Sequence, residues 1–258
     1  MKFTTRKIPI TELFKKGFKF ILLLPQLRIV KYPLAALKYY IQGISPEFVE
    51  LKGKTKILFS SHPHDMITFF VVFLKREYGR IKADSVVIDI GANIGVFSLY
   101  AALSGAKKVY AFEPSKEAFE ILCKNISLNN FSDIIIPINK AVSNVDDLIL
   151  QFPYSSSPYN SIGSCDSDNN MNYCEISTIT INTFIERNDA IDKIDLLKLD
   201  CEGAEFDILP SLNEFVFGKI NAIRMECHGE PNGLIELLSL RSFFVDFIRG
   251  NIVWLKKR

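Results

Sequence analysis

The stretch VVIDIGANIGVFSLY, residues 86–100, decides the fold of this chain. A run of β-branched residues ends at Asp89, and Gly91 and Gly95 then bracket a tight turn into an apolar helix. Glycine is needed where the backbone takes a positive φ or has to approach a ligand closely. The start of the helix offers unpaired N–H groups and the positive end of its dipole to a negatively charged group. The stretch therefore predicts a strand, a ligand-binding turn and a helix, with Asp89, Gly91, Asn93 and Gly95 as cofactor-binding candidates.

Short β-branched runs alternate with amphipathic segments through the rest of the chain, which indicates a parallel sheet with helices on both faces. Gly250 and Asn251 fit a two-residue turn, so we expect the last two strands to form an antiparallel hairpin. The predicted fold class is α/β, a doubly wound and mostly parallel seven-stranded sheet that ends in this hairpin. Its predicted strands are residues 85–90, 108–113, 134–138, 194–200, 220–227, 244–249 and 252–256. The predicted helices are 66–78, 94–103, 116–129, 205–215 and 234–240, and strands at 148–152 and 175–181 flank a Ser- and Asn-rich interval.

The second predicted strand ends in an acidic residue, Glu113, which stands 22 residues after Gly91. An acid at this place can accept hydrogen bonds from both hydroxyls of a ribose. The dinucleotide fingerprint is GxGxxG, whereas residues 89–95 have the spacing GxxxG with an acid two positions before the first glycine. This pattern, together with the terminal hairpin, resembles the S-adenosylmethionine loop of class I methyltransferases. Asn139, near the end of the third predicted strand, is a candidate for binding the adenine edge.

Carboxylates gather where the next predicted strands end. Asp200 ends one strand and Glu202 and Glu205 follow it, while Glu226 and His228 end the neighbouring strand at the edge where doubly wound sheets bind ligands. Glu205 could equally well do no more than favour a helix N-terminus. We expect His228 and then Asp200 as the general base, with Glu202 as a third catalytic candidate. A metal site from Asp200, Glu226 and His228 is conceivable, but no ligand spacing requires it and we expect none.

Five strings give the sequence a family resemblance: DIGANIGVFSLYAA, VYAFEPSKEAFEILCKNISLNN, INKAVSN, TFIERNDAIDKIDLLKLDCEGAEFDIL and IRMECHG. In this order they resemble the FkbM family of methyltransferases over roughly residues 57–228, including His64-Asp65 and Glu77-Tyr78. The resemblance implies S-adenosylmethionine as the cofactor and a small-molecule or glycan acceptor that is methylated on a hydroxyl oxygen. Because an alcohol hardly ionises at pH 7, a carboxylate or an imidazole has to accept its proton as the new bond forms.

The first sixty residues differ in charge from the rest of the chain. They carry twelve Lys/Arg and three Glu, a net of +9, whereas residues 61–258 carry nineteen Lys/Arg and twenty-six acids, a net of −7. A helix predicted at 11–24 separates three lysines from an apolar face. We divide the chain into a basic amphipathic helical extension, 1–56, and an S-adenosylmethionine-binding methyltransferase domain, 57–258. The extension either packs on the domain or brings residues 1–40 to an anionic membrane surface.

Composition limits the location and the competing functions. No apolar run is long enough for a membrane span, there is no secretory signal pattern, and five cysteines without a Cys-x-x-Cys pair fit a reducing cytoplasm. We expect a cytoplasmic protein, with peripheral contact at the inner face of the membrane as an option. A nicotinamide-dependent oxidoreductase is disfavoured by the missing GxGxxG. A nucleic-acid-binding protein is disfavoured by the acidic main domain and the absence of a recognisable module, so no nucleic acid partner is expected.

Overall fold

The structure, a computed structural model, describes residues 25–60, 62–154 and 173–258. The helix predicted at 11–24 and most of the Ser- and Asn-rich interval lie outside these ranges. Within them, every helix is too short or too polar to cross a bilayer. The strands in these ranges are β1 (Phe48–Glu50), β2 (Lys56–Leu58), β3 (Val86–Ile90), β4 (Lys108–Phe112), β5 (Ile135–Ile138), β6 (Ala141–Val142), β7 (Ile149–Pro153), β8 (Tyr173–Ile179), β9 (Leu196–Leu199), β10 (Ala222–Glu226), β11 (Phe243–Arg249) and β12 (Ile252–Lys257).

Seven of these strands form the central sheet, in the order β11-β12-β10-β9-β3-β4-β5. The five strands from β10 to β5 run parallel, and β12 is antiparallel to both of its neighbours. Gly250, with a φ of 62°, makes the turn between β11 and β12. The predicted doubly wound sheet with its terminal hairpin is therefore confirmed. The order places β3 and β9 side by side at the centre, so the predicted site residues after these strands meet at one edge.

Side chains of the central strands alternate between two apolar layers. Val87 packs with Leu99 and Leu122 on one face of the sheet, whereas Ile88 packs with Ile208 and Met225 on the other. Each of these side chains is fully buried, and such burial contributes about 1.5–3 kcal/mol per large apolar residue. Because both faces are covered, the middle strands are apolar apart from Asp89 and Lys198 and do not alternate with polar residues.

The helices mostly follow the predicted ones, with two differences. The predicted helix 205–215 is two helices, because Pro210 supplies no N–H near the end of the first and Leu212 is extended. Asn213 then caps the second by accepting from the Val216 N–H at 2.9 Å. The predicted helix 66–78 is shorter, because a wider π-helical segment at Phe70–Lys75 ends it.

The α-helices in the described ranges are α1 (Pro33–Gln42), α2 (His64–Phe69), α3 (Val96–Leu103), α4 (Lys116–Leu128), α5 (Ile181–Glu186), α6 (Glu205–Ser211), α7 (Glu214–Lys219) and α8 (Asn232–Leu240).

Two small sheets flank the main one. The β1–β2 pair is fastened to α4 by asparagine side chains: Asn125 bonds both the N–H and the C=O of Leu58, and Asn129 bonds those of Lys56, at 2.7–3.0 Å. Strands β7 and β8 pair antiparallel, as predicted for the runs that flank the polar interval. The division of the chain at residue 56 stays a prediction.

Candidate active site

A cavity of about 360 Å³ opens at the carboxyl edge of β3, β4, β9 and β10. Its volume lies within the ~300–1,000 Å³ that is usual for small-molecule sites. Six of the residues predicted from the sequence line it: Gly91, Asn93, Glu113, Asp200, Glu202 and His228. Three others, Asp89, Gly95 and Asn139, lie behind this lining and support it. The fold thus gathers both halves of the predicted site around one cavity.

The two glycines of the turn have different structural tasks. Gly91 has a φ of 74°, and a Cβ there would stand 1.8 Å from the backbone oxygen of Asp200. Gly95 has a φ of 89°, and its Cβ would stand 2.5 Å from Cδ1 of Leu122. A side chain at Gly91 would therefore push the turn away from the end of β9, whereas one at Gly95 would push α3 away from α4. Gly91 is the glycine that brings the backbone to the cavity.

Glu113 is buried beside the turn and fixes its backbone. One carboxylate oxygen accepts the N–H of Asn93 and the other that of Ser115, both at 2.7 Å. Burial raises the pKa of Glu113 to about 7, although these two donors act against it. Asn139 supports the same loop, because its amide donates to the backbone oxygens of Glu113 at 2.8 Å and of Pro114 at 3.2 Å. Its predicted contact with adenine stays a prediction.

Asp89 and Lys198 form a buried ion pair behind the cavity. The Lys198 Nζ lies 3.0 Å from Asp89 Oδ1, and the hydroxyl of Ser98 donates to Asp89 Oδ2 at 2.6 Å. Burial alone would lower the pKa of Lys198, but Asp89 and Asp200 outweigh it and hold the pKa above its usual value. Lys198 was not among the candidates from the sequence. The signal was present, however, since a lysine inside the apolar strand run Leu-Leu-Lys-Leu requires a buried partner.

Asp200 lies at the centre of the carboxyl edge. The hydroxyl of Tyr78 donates to its Oδ2 at 2.8 Å and lies 3.5 Å from Glu226 Oε2. Burial and the charge of Asp200 raise the pKa of Tyr78 well above its usual value, so the phenol stays a donor. This contact leaves Oδ1 of Asp200 directed to His228, whose Nε2 is 4.0 Å away.

His228 is held by Glu205, which is itself completely buried. Glu205 Oε1 accepts the backbone N–H of His228 at 2.6 Å and faces Nδ1 at 3.1 Å. The Nε2 atom faces Glu202 at 3.6 Å. The hydrogen bond to Glu205, opposed by burial and aided by the charge of Glu202, raises the pKa of His228 to about 9. At neutral pH His228 is therefore mostly a cation. Glu205 does more than favour the start of its own helix, because it also binds His228.

Ligand atoms of Asp200, Glu202 and His228 lie within 4.8 Å of one another, close enough to hold a metal ion. The group contains Glu202, whereas the sequence suggested Glu226 as the third ligand.

Another acid, Asp65, also lines the cavity and accepts hydrogen bonds from the N–H and the hydroxyl of Ser60 at 2.6 and 2.7 Å. Its burial raises its pKa to about 6.

Comparison with known proteins identifies the family of the domain. Residues 89–253 match the Methyltransferase FkbM domain. Methyltransferase sdnD of Sordaria araneosa is 24% identical over 251 residues, which cover 84% of this chain and 89% of that protein. The structure of the FkbM methyltransferase from Methylobacillus flagellatus KT aligns with a TM-score of 0.46 at 13% identity, over 86% of this chain and 58% of that one. M. capricolum TrmK, solved with S-adenosylhomocysteine, aligns with a TM-score of 0.45 at 14% identity, over 70% and 65%.

The sheet order and the matched domain together define a class I methyltransferase that uses S-adenosylmethionine. Within that class, the chain belongs to the FkbM methyltransferase family. The residues present fit this cofactor, because Asn93 Oδ1 is buried at the cavity and accepts no hydrogen bond from the residues that the structure describes. A ligand that donates hydrogen bonds beside Asn93 and Glu113 would satisfy this oxygen.

Proposed function

We propose that this methyltransferase methylates a hydroxyl oxygen of a sugar, a glycan or a related small molecule. The observation that carries the proposal is the group of Asp200, Glu202 and His228 at the end of the cavity where β9 and β10 finish. S-adenosylmethionine supplies an activated methyl group on a sulfonium, so the chain has to hold the acceptor in line and take up its proton. A hydroxyl needs such a proton acceptor, and this group supplies two carboxylates and an imidazole.

The cofactor would be held on the other side of the cavity. Glu113 would accept hydrogen bonds from the ribose hydroxyls, and the turn that begins at Gly91 would hold the methionine end. Asn93 supports this assignment, because its unsatisfied oxygen and its backbone both adjoin Glu113. Asp89 and Gly95 contribute by supporting the turn from behind.

The contacts favour Asp200 over His228 as the group that accepts the proton, which reverses the order expected from the sequence. Glu205 engages the Nδ1 of His228 and keeps the ring protonated, and a cation has no lone pair to offer. The hydroxyl of Tyr78 donates to one carboxylate oxygen of Asp200, and the other oxygen faces His228. The side chain of Asp200 is 30% exposed, so a substrate can reach it. The role of His228 would then be to orient Asp200 and to place a positive charge beside it.

The charge of the site supports an uncharged acceptor. Five acids, Asp89, Asp200, Glu202, Glu205 and Glu226, stand at this edge against the cations Lys198 and His228. A phosphate or carboxylate next to the reacting oxygen would be repelled, whereas a polyol would find several hydrogen-bond acceptors. This favours a sugar over a nucleic acid.

The test uses the purified full chain with S-adenosylmethionine that carries a trideuterated methyl group. It is incubated with glycan and lipid extracts from cells that lack the gene, and the products are analysed by mass spectrometry. We expect a product heavier by one trideuteromethyl group, bound as an ether that survives alkaline hydrolysis. A label found only on nitrogen, or lost as an ester on hydrolysis, would contradict hydroxyl methylation.

We also propose that the N-terminal extension brings the enzyme to the cytoplasmic face of an anionic membrane. In the described part of the extension, Leu34 and Ile41 are 81% and 68% exposed on the face of α1 that also carries Lys38. Each basic residue near an anionic surface contributes about 1 kcal/mol, and salt screens this attraction.

The test is co-sedimentation with vesicles that contain anionic lipid. At low salt the vesicles should sediment the full chain, and they should sediment less of the double variant Leu34→Gln/Ile41→Gln. Leu240→Gln is the matched control, since Leu240 is equally exposed on α8. Equal binding by both variants would contradict the proposal.

A further inference from the structure

Lys198 connects the cofactor turn to the carboxyl edge from inside the protein. Only 3% of its side chain is exposed, yet it forms part of the cavity lining. Its ammonium group donates to the backbone oxygen of Gly91 at 2.8 Å and to that of Ile90 at 3.3 Å, and it pairs with Asp89 at 3.0 Å. The ammonium group therefore makes two hydrogen bonds to the backbone of the turn and one ion pair. Asp200 Oδ2 lies 3.8 Å away and adds an electrostatic contact.

The surroundings of Lys198 keep the ammonium group in one place. The rings of Tyr78 and Phe97 cover it, with centroids 5.5 and 5.7 Å from Nζ. Water has almost no access, so the hydrogen bond to Gly91 is stronger than it would be on the surface. Gly91 also donates its own N–H to the oxygen of Phe112 at 3.1 Å. The first peptide of the turn is thus fixed from β9 on one side and from β4 on the other.

We propose that Lys198 is the positioning residue for the methionine end of the cofactor, because it holds the Gly91 turn in its binding conformation. The inference rests on the proposed placement of the cofactor in the cavity. The adenosine end depends on a separate contact: Glu113 takes its hydrogen-bond donors from Asn93 and Ser115. Beyond the effect of burial, Lys198 lowers and Asp89 raises the pKa of Glu113 through their charges, so removing both as a pair removes these opposing effects together. Removal of Lys198 should therefore weaken a ligand that has an amino-acid end and should spare one that lacks it.

The experiment compares two probes, S-adenosylhomocysteine and methylthioadenosine, which share the adenosine and the sulfur. Isothermal titration measures both with the full-length Asp89→Asn/Lys198→Met variant, in which the buried charges are removed as a pair. Removal of a pair is tolerated far better than removal of one partner. We expect the dissociation constant of S-adenosylhomocysteine to rise at least about tenfold and that of methylthioadenosine to change less than about threefold. Near-ultraviolet circular dichroism checks the fold, and Lys198→Arg, which keeps the charge beside Asp89 but changes the hydrogen bonds to the turn, replaces the pair variant if that does not fold.

The matched control is Lys193→Met, which removes a lysine just ahead of the same strand. Lys193 is 55% exposed and pairs with Asp195 away from the cavity, so both dissociation constants should stay as in the wild type. Equal losses of both probes, or no loss of either, in the folded Lys198 variants would overturn the inference. If the wild type binds neither probe, the cofactor placement itself fails, and this inference fails with it.

Discussion

Glu113 gives the sharpest test of the site, because burial should make cofactor binding depend on pH. Its side chain is 6% exposed and its pKa is raised to about 7. In the proposed binding mode the ribose hydroxyls would donate to the ionised carboxylate, so a proton on Glu113 would compete with the ligand. From pH 5.5 to 7.0 the ionised fraction rises from a few per cent to a half, and the affinity for S-adenosylhomocysteine should rise about 15-fold. The range stops at pH 7.0 because the ligand's own amino group titrates above it.

The Glu113→Gln variant should lose both the slope and much of the affinity. The amide nitrogen has to face either the Asn93 or the Ser115 N–H, so one of the two backbone bonds is lost. At pH 7 we expect affinity to fall by roughly 1.5–3 kcal/mol, the usual cost of removing a charged acceptor. Isothermal titration with S-adenosylhomocysteine measures both effects. Glu120→Gln, which changes an exposed acid on the following helix α4, is the control and should behave as the wild type.

The same carboxyl should affect the stability of the ligand-free protein with a defined sign. A pKa raised in the folded state from 4.5 to about 7 means that the folded form holds the proton more tightly. The resulting stability is fully present below the unfolded pKa and is lost as pH rises through 7, by about 3 kcal/mol at most. Urea unfolding at pH 5 and 8 should show a larger loss in the wild type than in Glu113→Gln, because the raised pKa values of His228 and Asp65 contribute the same loss to both proteins. An unchanged pH slope of binding or of stability in the folded Glu113→Gln variant would refute the reasoning.

Three further changes probe other contacts. Asp200→Asn should lower turnover by about 10²–10⁴-fold and leave the affinity for S-adenosylhomocysteine within a few-fold, in a radiometric assay on the identified acceptor; equal effects on both would contradict its role as proton acceptor. Gly91→Ala should destabilise the fold by more than about 2 kcal/mol in urea, because its Cβ meets the backbone of β9, whereas Gly53→Ala, with open space around it, should change little. Asn125→Ala removes three hydrogen bonds from buried backbone groups and should cost about 2–4 kcal/mol in the same assay; a smaller loss would show that water replaces the side chain.

The sheet was predictable because its signals are local. The central strands are short, mostly apolar runs separated by helical segments, and the Gly250-Asn251 turn marks the hairpin without reference to distant residues. The broken helix also had a local signal, because Pro210 lies inside the predicted helix 205–215. The π-helical segment after α2 had no such signal, because it depends on how buried rings pack together.

The contacts of the site were less predictable, because they join residues that are far apart in the chain. Tyr78 and Asp200 are 122 positions apart, and Lys198 and Gly91 are 107 apart. A sequence places each of these residues on its own element but does not say which side chains meet. It could predict that Asp200 and Glu113 share an edge, since strand ends in a doubly wound sheet do. It could not predict that a tyrosine from the segment after α2 would reach that edge.

The order of the candidate bases shows how this limitation affects function. From the sequence, His228 ranks first because an isolated imidazole titrates near neutrality. In the fold, the buried Glu205 lies 3.1 Å from Nδ1 of His228, and the carboxylates of Asp200 and Glu202 face Nε2. The proton therefore stays on the ring, and the positive charge of the ring orients Asp200. A carboxylate next to a fixed cation is a weaker base than an imidazole, and it can remove a proton from an alcohol only while the methyl group is being transferred. If Asp200 accepts the proton as proposed, the reaction would depend on accurate alignment of the acceptor more than on basicity. The contacts of Asp200 with Tyr78 and Lys198 should then matter as much for turnover as Asp200 itself.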